Sequence, residues 1–491
     1  MTTHPGTLTA ATKRALDADP AALAVVDGST RWTRGDLDER IRCVAVALRR
    51  GGAIEGSRVA LLARPSASGI AALQAIGRVG AVAVPLGPTL TAGELGRACA
   101  VSKPTVVVHD ADLARSAAAL AATRIDIDDV LAGSTDGATY GAEVNRDSEA
   151  PAAIVLTSGT TGGPKAAVLS HRAMMASADA WLAVLPPATG WLLATGLAHV
   201  AGLGTIWRAG VFGVPIVVAP GNDPVAILAA LRADPHPSHV SLVPTTLTRL
   251  LDLPDATPPP TLLAVPLGGG PIGAELVRRA RAAGWPVVPT YGLTEAASGV
   301  TALATEETSA HPSSAGRPLP GVQVVIDAPD PDGIGEIVVD TRARFSGYLD
   351  DAAATAAATT ADGWLRTGDL GRLDDEGRLT VVDRRTDRIV RGGENVSPAE
   401  VEAVLLRHPA IQDAAVVGRP DPVYGQVPVA VVVVRPGTAD PSDDALAAYC
   451  RQELARFKVP VAFDRRSSLP RTASGKLRRT ALREAPEGDP A

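Results

Sequence analysis

Short apolar runs alternate with stretches of helical spacing over most of the first 300 residues. After a predicted N-terminal helix, the runs at 23–26 (LAVV) and 29–32 (STRW) flank Asp27-Gly28 and predict a hairpin. Thr33 then precedes Leu37, Ile41, Val44 and Leu48, the spacing of an amphipathic helix. Strand-like runs at 59–63, 82–85 and 105–108 are separated by an Ala-rich helix over about 66–79 and a second helix over 91–102. This β-α-β-α-β order predicts a largely parallel α/β sheet covered by helices. The pattern resumes with strands at 191–194, 216–219, 240–243, 262–265 and 286–289, and with helices near 171–184 and 274–283. The segment 196–213 is mostly apolar and predicts a loop entering a buried helix. From about 316 the texture changes to short strands with Gly, Asp and Pro turns, clearest at 323–327 and 336–340. A compact α+β pattern follows: helix 399–407, strands 414–417 and 429–434, helix 444–457.

The expected fold class is therefore α/β: a large N-terminal domain of α/β sheets with a β-rich subdomain, then a small C-terminal α+β domain. The boundary falls near 384–388, dividing the chain into 1–385 and 386–491. A length of 491 residues suits about two to four domains and large buried cores. Aromatics make up only 3 %, so Ala, Val and Leu must build the interior. A net charge of −6 argues against a general nucleic-acid surface. Cys43, Cys99 and Cys450 lie too far apart in sequence to read as a disulfide framework or metal cluster. The N-terminal residues contain no apolar signal region, and no window approaches about 18 uninterrupted apolar residues. A cytosolic protein without a membrane span is expected.

Candidate chemistry begins at 156–165 (LTSGTTGGPK), where an apolar run ends in glycines, hydroxyls and a lysine. Such a loop can turn backbone N–H groups and hydroxyls toward a polyphosphate; it can equally be a plain surface loop after a strand. It is not a Walker A loop, because Ala166 stands where Ser or Thr would follow the lysine. Further downstream come LGGGP (267–271), YGLTE (291–295), TGDLG (367–371), DRRTDRIVRGGENVSPAEVE (383–402) and PRTASGK (470–476). Taken singly, each has a bland reading: a glycine turn, a helix N-cap pair at Thr294-Glu295, a turn aspartate, a basic surface.

Six such motifs in this order, spread over essentially the whole chain, resemble the adenylate-forming superfamily of acyl-CoA synthetases, adenylation domains and luciferases. Within it, LGGGPI, SSAGRPLPG (313–321) and GGENVSPAEVE look similar to o-succinylbenzoate–CoA ligases and related aryl-CoA ligases. The resemblance implies ATP, Mg²⁺ and CoA as cofactors and co-substrates. Thr157, Ser158, Gly159, Thr160, Thr161, Gly162 and Lys165 would grip the β- and γ-phosphates. Gly268, Gly269, Gly270, Tyr291 and Gly292 would meet adenine, Asp369 the ribose, and Arg384 ribose or phosphate. Thr294 would donate to the α-phosphate and Glu295 would hold the metal, while Lys476 would carry the adenylation step. It further implies a mobile C-terminal domain that hinges at Thr386 and alternately presents Lys476 and the 392–396 segment, with Gly393 and Glu394.

For the acid, His199 (in GLAHVAGL) aligns with a histidine beside the carboxylate; a lone histidine is otherwise more often structural. Thr245, Leu293, Ser298 and Gly299 are the expected walls, leaving room for an aromatic or otherwise compact acid. Ala166 and Ala296 depart from the family pattern, the latter where related aryl ligases often carry Thr. The implied reaction is adenylation of a small carboxylic acid, then transfer to CoA. Alternatives are a carrier-protein thiol or an amine as acceptor, or nitrite activation for diazotisation of an aryl amine. A monomer or homodimer is expected, with no nucleic-acid partner.

Overall fold

The computed structural model describes residues 6–118, 120, 123–133, 147–158, 164–270, 272–331, 333–384, 389–396, 398–470 and 482. The predicted parallel α/β alternation forms the seven-stranded sheet at the centre of the N-terminal domain. Its order is Gly347–Tyr348, Pro164–Ser170, Pro151–Ser158, Val82–Leu86, Arg58–Leu62, Val106–His109, Thr123–Asp126. The last five strands pair in parallel, and the first two pairings are antiparallel. Helices Arg34–Arg50 and Ala92–Ser102 open on capping boxes, Thr33 with Asp36 and Thr91 with Glu94, which satisfy otherwise orphaned first-turn amides.

A second, five-stranded sheet runs His239–Val240, Trp191–Leu193, Ile216–Val218, Leu23–Asp27, Thr30–Thr33. Two four-stranded sheets follow. One holds Val265–Leu267, Val287–Leu293, Ser298–Ala302 and Arg317–Pro318; the other, wholly antiparallel, is the expected β-rich subdomain, Val322–Asp327, Gly335–Thr341, Leu365–Leu373 and Leu379–Arg384. The smaller C-terminal domain is built on the hairpin Ile411–Asp421/Gly425–Val434, with helices Pro398–Leu405 and Asp443–Arg451. It has its own core, including Ile389, Val401, Leu405, Val416, Val432 and Phe463.

Three predicted elements differ. The run at 240–243 yields strand only at His239–Val240, because Pro244 opens helix Pro244–Leu251 and Val243 becomes its N-cap. The strand begins at Val265 rather than 262, in register with Val287. The helix expected to reach 457 stops at Arg451, and the chain turns again at Arg456–Lys458 just before Pro460. Among the described residues, no helix is long and apolar enough to cross a membrane.

Candidate active site

The phosphate-loop strand Pro151–Ser158 returns as Pro164–Ser170, with Thr157 opposite Lys165. This register sets a hydroxyl and an ammonium at facing positions of the two strands. Gly159, Thr160, Thr161 and Gly162 lie outside the described residues, as do Lys476, Thr386 and the side chains of Ser158 and Arg384. Lys165 Nζ sits 5.0 Å from the ring centroid of Tyr348, whose hydroxyl donates to Glu295 Oε1 at 2.7 Å. The backbone N–H of Phe345 also donates to the Glu295 carbonyl at 2.8 Å. Lys165 and Glu295, 130 positions apart in sequence, are thus joined through one tyrosine.

Glu295 and Thr294 occupy a tight turn between strands Val287–Leu293 and Ser298–Ala302. A Cβ on Gly292 would stand 1.6 Å from the Ser298 carbonyl oxygen, so only glycine closes this turn. Ala297 (φ 47°) and Ser298 (φ 105°) both adopt positive φ without being glycine, which concentrates backbone strain beside the predicted metal and acid residues. Tyr291, two positions before Leu293, is buried and donates its hydroxyl to Asp369 Oδ2 at 2.7 Å. The predicted adenine and ribose residues are therefore brought together. Gly268 lies beneath Thr290, and Gly270 faces Val390 and Pro244.

His199 caps helix Val200–Phe212, and its Nε2 lies 3.3 Å from Glu394 Oε2 at the start of strand Glu394–Val396. Burial disfavours the charge on His199, but the hydrogen bond and charge of Glu394 outweigh it and raise the imidazole pKa above its ordinary value. Burial likewise pushes the Glu394 carboxyl up, and His199 outweighs it and holds the carboxyl below the usual glutamate value. Both side chains keep about two-fifths of their surface accessible (45 % and 40 %), facing a cavity. Gly393, at φ +87°, presses on Val243: a Cβ there would meet Val243 Cγ2 at 2.8 Å. The 392–394 turn thus seats against the start of the helix that carries Thr245.

The cavity between the two domains measures about 440 Å³ and is bordered by Thr157, Thr195, His199, Thr294, Glu394 and Phe457. Behind the expected acid walls lies a layer that sequence reasoning missed. A Cβ on Gly299 would meet the Trp181 indole nitrogen at 2.6 Å, so this glycine exists to let Trp181 approach. Arg208 stacks on Trp191 (4.8 Å to the centroid) and Trp181 (5.9 Å) and is 3 % exposed. Its Nη2 reaches Ser241 Oγ at 3.3 Å and Thr205 Oγ1 at 3.4 Å, and it forms no ion pair among the described residues. Burial brings its pKa down from 12.5 to about 9, which leaves it cationic at neutral pH. Thr195 Oγ1, Thr245 Oγ1 and Trp181 Nε1 are also buried without a hydrogen-bond partner among the described residues. The available signal for Arg208 was one arginine inside the otherwise apolar 200–213 stretch; Tyr348 had none.

Comparisons with known proteins agree with this geometry. Residues 12–349 match the model of the AMP-binding enzyme family, and residues 400–476 that of the AMP-binding enzyme C-terminal domain. The chain is 37 % identical over 502 residues to the 2-succinylbenzoate–CoA ligase of Geobacillus kaustophilus, covering 98 % of each. It resembles a double mutant of o-succinylbenzoate CoA synthetase (MenE) from Bacillus subtilis bound with a product analogue, OSB-NCoA: TM-score 0.90, 31 % identity, covering 97 % of this chain and 98 % of that one. The same Bacillus subtilis enzyme in complex with the acyl-adenylate intermediate OSB-AMP gives a TM-score of 0.73, at 31 % identity and covering 98 % and 99 %. With both family models matched in order over most of its length, the chain belongs to the AMP-binding enzyme family, and within it to the AMP-forming acid–CoA ligases.

Proposed function

We propose that this ligase activates an aryl acid carrying a second carboxylate, with 2-succinylbenzoate, the acid its relatives are named for, as the substrate, and passes the acyl group to CoA. One observation carries the choice of acid: Arg208 is a buried cation with no anionic partner among the described residues. It shares Trp181 with Gly299 and touches Ser241, four positions before Thr245, so it lies directly behind the expected acid walls. A ring carboxylate there would give the guanidinium charge-assisted hydrogen bonds. Thr195, Thr245 and Trp181 offer further buried polar atoms for a keto oxygen.

The first half-reaction joins an oxygen of the aliphatic carboxylate to the α-phosphorus of ATP, breaks the bond to the bridging oxygen, and releases pyrophosphate. Two anions must meet, so cations and oriented donors decide the rate. Lys165, Thr157 and the 159–163 loop would hold the leaving phosphates, Thr294 and Lys476 would address the α-phosphate, and Tyr291 with Asp369 would place the nucleoside. The Glu295 carboxylate is the hard oxygen donor that Mg²⁺ prefers, and the Tyr348 hydroxyl fixes its orientation. When bound there, Mg²⁺ supplies neutralising charge to the phosphates. In the second half-reaction the CoA sulfur bonds to the acyl carbon, AMP leaves with the C–O bonding pair, and the thiol proton is lost.

We assign the docked arrangement, with Gly393 on Val243 and Glu394 on His199, to this second step. The higher TM-score against the product-analogue complex than against the acyl-adenylate complex, at equal identity, supports the assignment. The domain division at 385/386 with Thr386 as hinge is part of the same reading; its support is a C-terminal core that starts afresh at Ile389. The test is pyrophosphate release without CoA across an acid panel. 2-Succinylbenzoate should outrun phthalate, benzoate and fatty acids by at least about tenfold, and a benzoic or fatty acid turning over fastest overturns the proposal.

A further inference from the structure

The two domains meet at a mixed-charge cluster, Glu94, Arg97, Glu400 and Lys458, on the wall of the cavity between them. Glu94, the third residue of helix Ala92–Ser102, accepts from the Thr91 backbone N–H (2.9 Å) and hydroxyl (3.0 Å) through Oε2. Its other oxygen, Oε1, faces Lys458 Nζ of the C-terminal domain at 2.7 Å, with side-chain exposures of 3 % and 11 %. Lys458 also pairs with Glu400 of its own domain at 3.0 Å. Arg97, one turn along from Glu94, stands 3.6 Å from Glu400 and 3.9 Å from Glu453, and donates to the Glu453 carbonyl at 3.3 Å. The Thr91 hydroxyl oxygen lies 3.1 Å from the same carbonyl, an alternative acceptor for its single proton.

We propose that Glu94 is a positioning residue for the thioester half-reaction, holding Lys458, and through it the C-terminal domain, in the orientation that seats Glu394 against His199. This rests on the two-step ligase reading above. The bland role for Glu94, capping its helix, needs only one acceptor oxygen, and a glutamine serves a capping box as well. Oε1 is not needed for the cap; it serves the domain contact. If the C-terminal domain rotates away, Lys458 carries Glu400 with it, whereas Glu94 and Arg97 lose their partners. The cluster therefore favours the docked orientation specifically, and the low exposure of its Glu94–Lys458 pair sets that pair apart from a screened surface one. A carboxylate removed from an ammonium in this setting shifts the docked equilibrium by about tenfold.

Glu94→Gln keeps the cap and removes the charge, so the helix and the melting temperature should be preserved. Pyrophosphate release without CoA should stay within about twofold of wild type, while single-turnover CoA-ester formation from the preformed adenylate should slow about tenfold. In a Lys458→Met background, Glu94→Gln should change that step by less than about twofold, because the partner is gone. Spin labels at the exposed Val225 and Leu406, read without any substrate, should show the docked population falling in Glu94→Gln. Equal losses in both half-reactions, no loss in either, an unchanged label distance, or a full effect persisting beside Lys458→Met would each overturn the proposal. A wild type silent toward 2-succinylbenzoate in the pyrophosphate arm would instead strike the acid assignment, which the label distances do not depend on.

Discussion

Replacing Arg208 by Met tests the acid assignment at its root. The substitution keeps an unbranched apolar stem against Trp191 and Trp181 and removes the fork and the charge. In the free protein the guanidinium has two long hydrogen bonds, at 3.3 and 3.4 Å, and no counter-ion among the described residues. The fall of its pKa from 12.5 to about 9 corresponds to roughly 5 kcal/mol held against the charged form. A substrate carboxylate would recover part of that; losing one partner of a buried pair typically costs about 3–5 kcal/mol. Taking about 3 kcal/mol, discrimination for the second carboxylate should be near 150-fold. The assay compares kcat/KM for pyrophosphate release with 2-succinylbenzoate and with 4-oxo-4-phenylbutanoate, which lacks only the ring carboxylate. Wild type should prefer the diacid by about two orders of magnitude, and Arg208→Met should reduce that preference to within about threefold. The melting temperature should hold or rise, because an uncompensated buried charge has been removed. A variant that retains the hundredfold preference refutes the role given to Arg208.

Three further outcomes follow from the site. The His199–Glu394 contact should be pH-dependent: with the histidine pKa raised, its contribution to docking is complete below about 6.5 and is lost as pH rises through the elevated value. On the acid side the Glu394 contribution is complete above the ordinary glutamate value and is lost as pH falls through its lowered one. Hydrogen exchange at 389–396 should accordingly speed up on the alkaline side in wild type, with that pH dependence absent in Glu394→Gln; identical profiles would contradict it. His239 is fully buried, and burial together with the Arg208 charge lowers its pKa to about 4. Its folded value lies below its unfolded one, so stability present near neutrality falls as pH drops from about 6.5 toward 4. The loss reaches about 2.5 kcal/mol at pH 4.5, and urea melts at pH 7 and 4.5 should show it shrinking in His239→Gln. Gly292→Ala forces a Cβ to 1.6 Å from the Ser298 carbonyl, so adenylation should drop at least about tenfold; near-normal pyrophosphate release would mean that the turn tolerates rebuilding.

The reach of the sequence divides along physical lines. Period-2 and period-3.6 patterns located the parallel sheet, the helices that follow Thr33 and Thr91, and the change to short strands from about 316, because local backbone chemistry and burial agree there. Pattern misplaced the strands at 239–240 and 265–267, where a proline and a register decided by a distant strand outweighed an apolar run. The nucleotide residues were legible because they sit in short motifs; the Tyr291–Asp369 and Lys165–Tyr348–Glu295 contacts, spanning 53 residues and more, were not. The acid pocket was least legible. Arg208 carries no motif, and its meaning arises only when folding buries it against two tryptophans with no ion-paired carboxylate among the described residues.

The central claim is a two-step ligation of an aryl diacid to CoA, and product stoichiometry tests it most directly. With 2-succinylbenzoate, ATP, Mg²⁺ and CoA, mass spectrometry should find one succinylbenzoyl-CoA for each AMP and each pyrophosphate formed, and pyrophosphate without ester when CoA is withheld. ADP in place of AMP, or AMP released with no CoA ester in the presence of CoA, would contradict it.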